Sequence, residues 1–179
     1  MFEKRIENLK LLENKKSEIE KAVELILNAI KTQNKILFCG NGGSASDCNH
    51  IATEFISRFE KERKSLPAIS LAANNSILTA IANDYSFEDV FSRQIEGLGK
   101  ENDVLVAIST SGKSKNILKA IKQAKKQGLK IIFLTGENKS EFEVDVEINT
   151  PSTRTCEIQE MHIILGHLIC EKIEKLISN

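Results

Sequence analysis

The chain holds 179 residues, 41% of them hydrophobic, enough for one α/β domain with a sizeable core. Its 25 basic and 25 acidic residues cancel, leaving no global field to gather nucleic acid or an anionic membrane. No stretch is apolar enough to span a bilayer, the Lys/Glu-rich start does not read as a signal peptide, and four cysteines without a C-x-x-C pairing fit reduced thiols in the cytoplasm.

Residues 2–32 carry Ile6, Leu9, Ile19, Val23, Ile26, Leu27 and Ile30 at helical spacing with charged faces between. One or two helices are expected there, partly used for subunit contacts. Residues 35–39 form a short apolar strand, followed by Gly40-Asn41-Gly42-Gly43-Ser44 and a helix over 44–62. Ser44 with Asp47 three residues on predicts a capping box. The glycine loop is neither G-x-G-x-x-G nor a Walker loop, which disfavours dinucleotide binding. His50 and Glu54 are four residues apart on this helix, so they share a face. They could share a divalent metal or form a simple His–Glu pair. Cys48, near the helix start, reads as structural or as a thiol with some thiolate character.

A strand over 67–71 leads to helical material at 76–82 and 87–98. The β-branched run over 103–108 is a buried strand, and Ser109-Thr110-Ser111-Gly112-Lys113-Ser114 follows directly. Ile117, Leu118, Ile121 and Ala124 then recur at helical spacing over 114–127, with Gly128 ending the helix. The hydroxyls thus sit where a strand turns into a helix. Unpaired N–H groups and a partial positive charge there suit a phosphate, with Lys113 as an adjacent cation. A plain Ser/Thr turn capping the helix is the other reading.

Strands over 130–134 and 144–148 precede a closing helix over 155–177. Over 158–170 that helix is apolar except for Gln159, Glu160, His162 and His167; His167 lies eight residues, about two turns, beyond Gln159. Cys39 and Cys170 read as small buried hydrophobes, and Cys156 completes the set of four. Strands alternating with helices predict a parallel sheet covered on both faces, in one domain over 1–179.

Gly40-Asn41-Gly42-Gly43-Ser44-Ala45, His50…Glu54, Ala82-Asn83-Asp84, Ser109-Thr110-Ser111-Gly112-x-Ser114 and Ile158-Gln159-Glu160-Met161-His162 stand in the order and spacing of the bacterial phosphoheptose isomerases, in the sugar isomerase (SIS) domain superfamily. The chain resembles that family over nearly its whole length. The resemblance implies a three-layer flavodoxin-like sandwich with a five-stranded parallel sheet and an extra N-terminal helical region. It also implies a homotetramer with sites at subunit contacts. The activity it implies is aldose–ketose isomerisation of sedoheptulose 7-phosphate to heptose 7-phosphate, a precursor for lipopolysaccharide or capsule. Carried over by position, Ser109, Thr110, Ser111 and Ser114 hold the phosphate; Asn41, Gly42, Gly43, Asn83, Asp84, Glu54 and Gln159 line the sugar. His50, Glu54, Gln159 and His167 match one zinc site per subunit, and Glu54 and His167 match the acid/base pair. Glu157 departs from the pattern, since the family often has a basic residue there, and Phe55 replaces a more usual leucine. The chain is also similar to an inactive adaptor, the DnaA initiator-associating protein, which lacks counterparts of Glu54 and His167 and is altered at Ser111. A sugar-phosphate-sensing domain would come fused to a second domain.

Overall fold

A computed structural model describes residues 2–137, 140 and 142–177. The order of elements is α1 (Phe2–Leu12), α2 (Lys16–Lys31), β1 (Ile36–Gly40), α3 (Gly43–Ile56), β2 (Ala68–Ser70), α4 (Asn75–Asp84), α5 (Ser92–Leu98), β3 (Val104–Ser109), α6 (Lys115–Lys126), β4 (Lys130–Thr135), β5 (Val146–Asn149) and α7 (Thr155–Ile177). All strands pair in parallel in the order β2-β1-β3-β4-β5, with Ile36 beside Ala68 on one side and Val104 on the other. This is the doubly wound, three-layer arrangement expected from the alternation of strands and helices.

The central strands are buried on both faces, which explains their continuous Ile/Val/Leu runs. Ile36, Phe38, Val104, Val106, Ile132 and Leu134 pack on one face with Val23 and Ile26 of α2, Phe55 of α3 and Leu165 and Ile169 of α7. Leu37, Leu105, Ala107, Ile131 and Phe133 face the opposite way, against Ile95 of α5 and Ile117 and Ile121 of α6. At the amino ends of β1 and β3 a single carboxylate fixes the register. Asp103, 1% exposed, accepts the backbone N–H of Lys35 (2.9 Å) and of Lys100 (2.8 Å) and pairs with the Lys35 ammonium.

The N-terminal helical region breaks at a 3-10 turn, Glu13–Lys15, into α1 and α2. The stretch over 87–98 likewise divides into a 3-10 turn, Phe87–Asp89, and α5. The helix expected over 44–62 stops at Ile56. Its continuation is held as a turn by Glu174 of α7, whose carboxylate accepts the N–H groups of Phe59, Glu60 and Lys61 at 3.1, 2.8 and 2.9 Å. Arg63 closes the same knot: it pairs with Glu174 at 3.3 Å and donates to the carbonyls of Phe55 and Glu54, the free end of α3. The capping box at Ser44 is not formed. The helix starts one residue earlier, at Gly43, with Gly42 as the cap residue and no side-chain cap, and Ser44 is buried as part of the first turn.

Glu157, the residue that departs from the family pattern, is 2% exposed. It accepts from Asn8 of α1 (3.0 Å), Ser152 (2.8 Å) and Arg154 (2.6 Å). The acid therefore ties α1 to the start of α7, with Arg154 supplying the opposite charge.

Candidate active site

Leaving β1, the chain crosses to β2 on one side of the sheet and, later, to β3 on the other. The strand order thus reverses between β1 and β3, and the crevice that such a switch point makes beyond the carboxyl ends is the usual ligand position in these sheets. Two loops border it. One is Gly40–Gly43, running into α3; the other is Ser109–Ser114, running into α6.

In the second loop Ser109, at the end of β3, is 3% exposed and donates to Ser114 Oγ at 3.1 Å. Ser114 is the cap residue of α6, yet its hydroxyl makes no cap bond to the helix, so it is turned toward its neighbours in the loop. Ser111 is exposed and accepts the Lys113 N–H at 3.1 Å. Gly112 makes the turn at φ +65°, a left-handed conformation that a side chain would strain. Thr110 is half-buried beside it, and the Lys113 side chain is exposed.

In the first loop Gly43 meets Gln159, which arrives from α7. A Cβ on Gly43 would lie 2.3 Å from the Gln159 amide nitrogen, so a larger residue there would displace the Gln159 side chain. Asn41 faces Asn116 across the crevice in a pair of 2.8 Å hydrogen bonds. Asn116 did not stand out in the sequence; its place two residues beyond Ser114 was the available signal.

His50 and Glu54 lie on one face of α3, as their spacing requires, with His50 Nε2 3.5 Å from Glu54 Oε1. His167 of α7 completes the group: its Nε2 is 2.8 Å from His50 Nε2, the rings meeting edge to face, and the Phe59 ring lies 5.7 Å from the His167 ring. The two ring nitrogens stand within hydrogen-bonding reach of each other. Gln159 reaches from α7 to Gly43, at the start of the same helix α3 that carries His50 and Glu54. Asn83 and Asp84 stand at the exposed end of α4, Asn83 donating to Asp84 at 2.9 Å.

Two imidazoles and a carboxylate are a donor set that zinc accepts. Among the described residues no group of three His, Cys, Asp or Glu is spaced to hold a metal ion as it stands. Ligands 2.0–2.1 Å from a tetrahedral zinc sit about 3.3 Å apart, so the two rings would have to part by about half an ångström.

Other titratable groups have structural roles. His162 is 1% exposed, bonds Thr135 O through Nε2 at 3.1 Å, and is pushed down to about 4 by burial, which the carbonyl only partly offsets. The unfolded chain therefore binds a proton that the fold rejects between pH 6.5 and 4. Stability should fall across that window as pH falls, by up to about 3 kcal/mol. Urea unfolding at stepped pH should show this slope, shallower in His162→Gln. Cys48 is buried and its thiol is pushed well up by burial, which excludes thiolate character; Cys39 is raised likewise, and burial pushes Cys170 up to about 12. Among the described residues no helix is long and apolar enough to cross a membrane.

Residues 2–136 match the SIS domain family. The chain is 50% identical over 168 residues to the phosphoheptose isomerase of Nitratiruptor sp., covering 93% of this chain and 90% of the relative. It is 48% identical over 160 residues to that of Clostridium acetobutylicum, covering 88% and 82%. Among solved structures, the phosphoheptose isomerase of Neisseria gonorrhoeae superposes with a TM-score of 0.91 at 40% identity, covering 97% of this chain and 95% of that one. That of Francisella tularensis gives 0.93 at 34% identity, covering 97% and 94%.

Proposed function

The chain belongs to the phosphoheptose isomerases of the SIS domain family, and from that premise we propose that its two-loop crevice isomerises sedoheptulose 7-phosphate to the heptose 7-phosphate aldose. The observation that carries this reading is the convergence of Glu54, His50 and His167 from two helices, in a fold that also presents a hydroxyl loop beside a glycine loop at the sheet's switch point. An adaptor reading has no use for that convergence.

The phosphate is assigned to Ser109, Thr110, Ser111 and Ser114 and to the N–H groups opening α6. Asn41, Gly42, Gly43 and Gln159 are assigned to the sugar, together with Asn83 and Asp84. Moving the carbonyl from C2 to C1 transfers one proton from C1 to C2 and another from O1 to O2. Glu54 takes the proton from C1 and returns it to C2; His167, beside His50, serves the oxygens. One zinc ion per subunit is part of the proposal, and His50, Glu54, Gln159 and His167 would hold it; when bound, it would polarise the carbonyl and steady the enediolate.

A homotetramer is proposed as well. Helix α4 has no buried residue, and Ile77, Tyr85 and Phe87 at and beyond it are exposed, as are Phe2, Ile6 and Leu9 on α1. Covering those faces with copies of the chain would bring Asn83 and Asp84 into an enclosed setting. The product would supply heptose for lipopolysaccharide or capsule.

Turnover of sedoheptulose 7-phosphate by purified protein, followed by NMR, tests the reading. Aldose formation is expected. Loss of activity on chelation, restored by zinc, supports the metal, whereas activity indifferent to chelation leaves the Glu54–His167 pair and removes zinc from the reaction. No product with or without zinc overturns the isomerase reading. Ser111→Ala should raise KM about tenfold with kcat little changed, since it removes a phosphate contact made alike in ground and transition states; an unchanged KM would sink that assignment.

A further inference from the structure

Asn116 lies outside every role assigned above, yet it is 3% exposed and both polar ends of its side chain are engaged. Its Nδ2 donates to Asn41 Oδ1 at 2.8 Å, and its Oδ1 accepts from Asn41 Nδ2 at 2.8 Å and from the backbone N–H of Ile117 at 3.0 Å. The two amides close a ring between residues 75 positions apart in the chain. One side of the ring is the loop that ends β1; the other is the first turn of α6, directly behind the hydroxyl loop.

Burying an amide is costly unless every hydrogen bond is made, and an apolar residue would fill the same space without that risk. An amide is required only if its partner must be held by both a donor and an acceptor, which fixes orientation as well as distance. Asn41 is held that way.

Resting on the isomerase reading of the two loops, we infer that Asn116 is a positioning residue, which locks Asn41 and the glycine loop at a set spacing from the phosphate loop. The sugar end of the crevice depends on this lock. The phosphate end does not, because the Ser109–Ser114 contact is made within its own loop. An enzyme that must hold both ends of one substrate gains a near-attack geometry from such a fixed span.

Asn116→Asp removes the donor and sets a carboxylate oxygen against Asn41 Oδ1; Asn116→Ser removes the ring with no added charge, should the first variant fold poorly. Each is measured with the wild type for kcat, KM, the inhibition constant of inorganic phosphate, and hydrogen exchange of the Asn41 side-chain amide. The expected result is a loss of at least about tenfold in kcat/KM, a phosphate constant within about twofold, and faster Asn41 amide exchange. The double variant Asn41→Ala, Asn116→Ala should lose no more than the worse single one, because both remove the same lock. Wild-type-like kcat/KM in both variants, a phosphate constant rising in step with the loss, unchanged exchange, or additive losses would each overturn the inference. A wild type that turns over no sedoheptulose 7-phosphate overturns the isomerase reading and this inference with it; wild-type turnover with indifferent variants overturns this inference alone.

Discussion

Glu54→Gln should cut kcat for sedoheptulose 7-phosphate by about a thousandfold while KM stays within a few-fold. The amide keeps the size of the side chain and its place one turn from His50, 3.5 Å from the ring in the native chain, but it cannot accept the C1 proton. The Glu54 side chain is 19% exposed, sheltered enough for its loss not to be replaced by bulk water acting as base. Steady-state kinetics give the size of the loss. Deuterium exchange at C1 of bound substrate identifies the step: it should vanish in the variant while inorganic phosphate still competes for the site. Near-normal kcat, or C1 exchange that persists, would remove Glu54 as the base.

Glu174→Ala should destabilise the fold by about 3–5 kcal/mol, the usual cost of breaking a buried pair. Only 4% of the carboxylate side chain is exposed, and only 7% of Arg63, so the truncation strands a guanidinium and three backbone N–H groups at once. Burial by itself raises the Glu174 pKa; the amides of Glu60, Lys61 and Phe59 and the Arg63 cation outweigh it and hold the group below the usual carboxylate range. Its contribution is therefore full above the unfolded carboxylate's pKa and fades as pH falls through the lower folded value. Urea unfolding at neutral pH measures the loss, which should shrink in acid. Activity should drop too, since the same knot carries Phe59 against His167 and holds the carbonyl of Glu54. A variant as stable as the native chain would show that the knot is not what ends α3.

These two residues mark what was legible in the sequence and what was not. The His50–Glu54 pairing follows from helical periodicity alone, and the hydroxyl and glycine loops declare themselves by lying between an apolar strand and an amphipathic helix. The sheet's parallel pairing and its two covered faces follow from the alternation of elements. Contacts made by distant side chains had no such local signature. The charged segment after Ile56 reads as a continuation of α3 to residue 62, whereas the helix ends at Ile56 and a carboxylate from α7 takes the N–H groups that follow. The closeness of His167 to His50, 117 residues apart, depends on how α7 lies against α3. Glu157 read as a lost positive charge, whereas its environment of Asn8, Ser152 and Arg154 makes it an anchor. The capping box failed for a related reason: glycines at 42 and 43 let the helix begin early, against Gln159.

The Asp103 knot separates two demands that a protein of this size could easily confuse. It pins the first residues of β1 and β3, while the glycine loop and the hydroxyl loop leave from the last residues of the same strands. Five paired positions stand between, about 16 Å of strand. Alignment of the sheet is thus settled at one end of the strands, and the loops proposed to choose the ligand leave from the other. Substitutions in the loops can accumulate without disturbing strand pairing, so one scaffold can be retuned toward different sugar phosphates while its frame stays fixed.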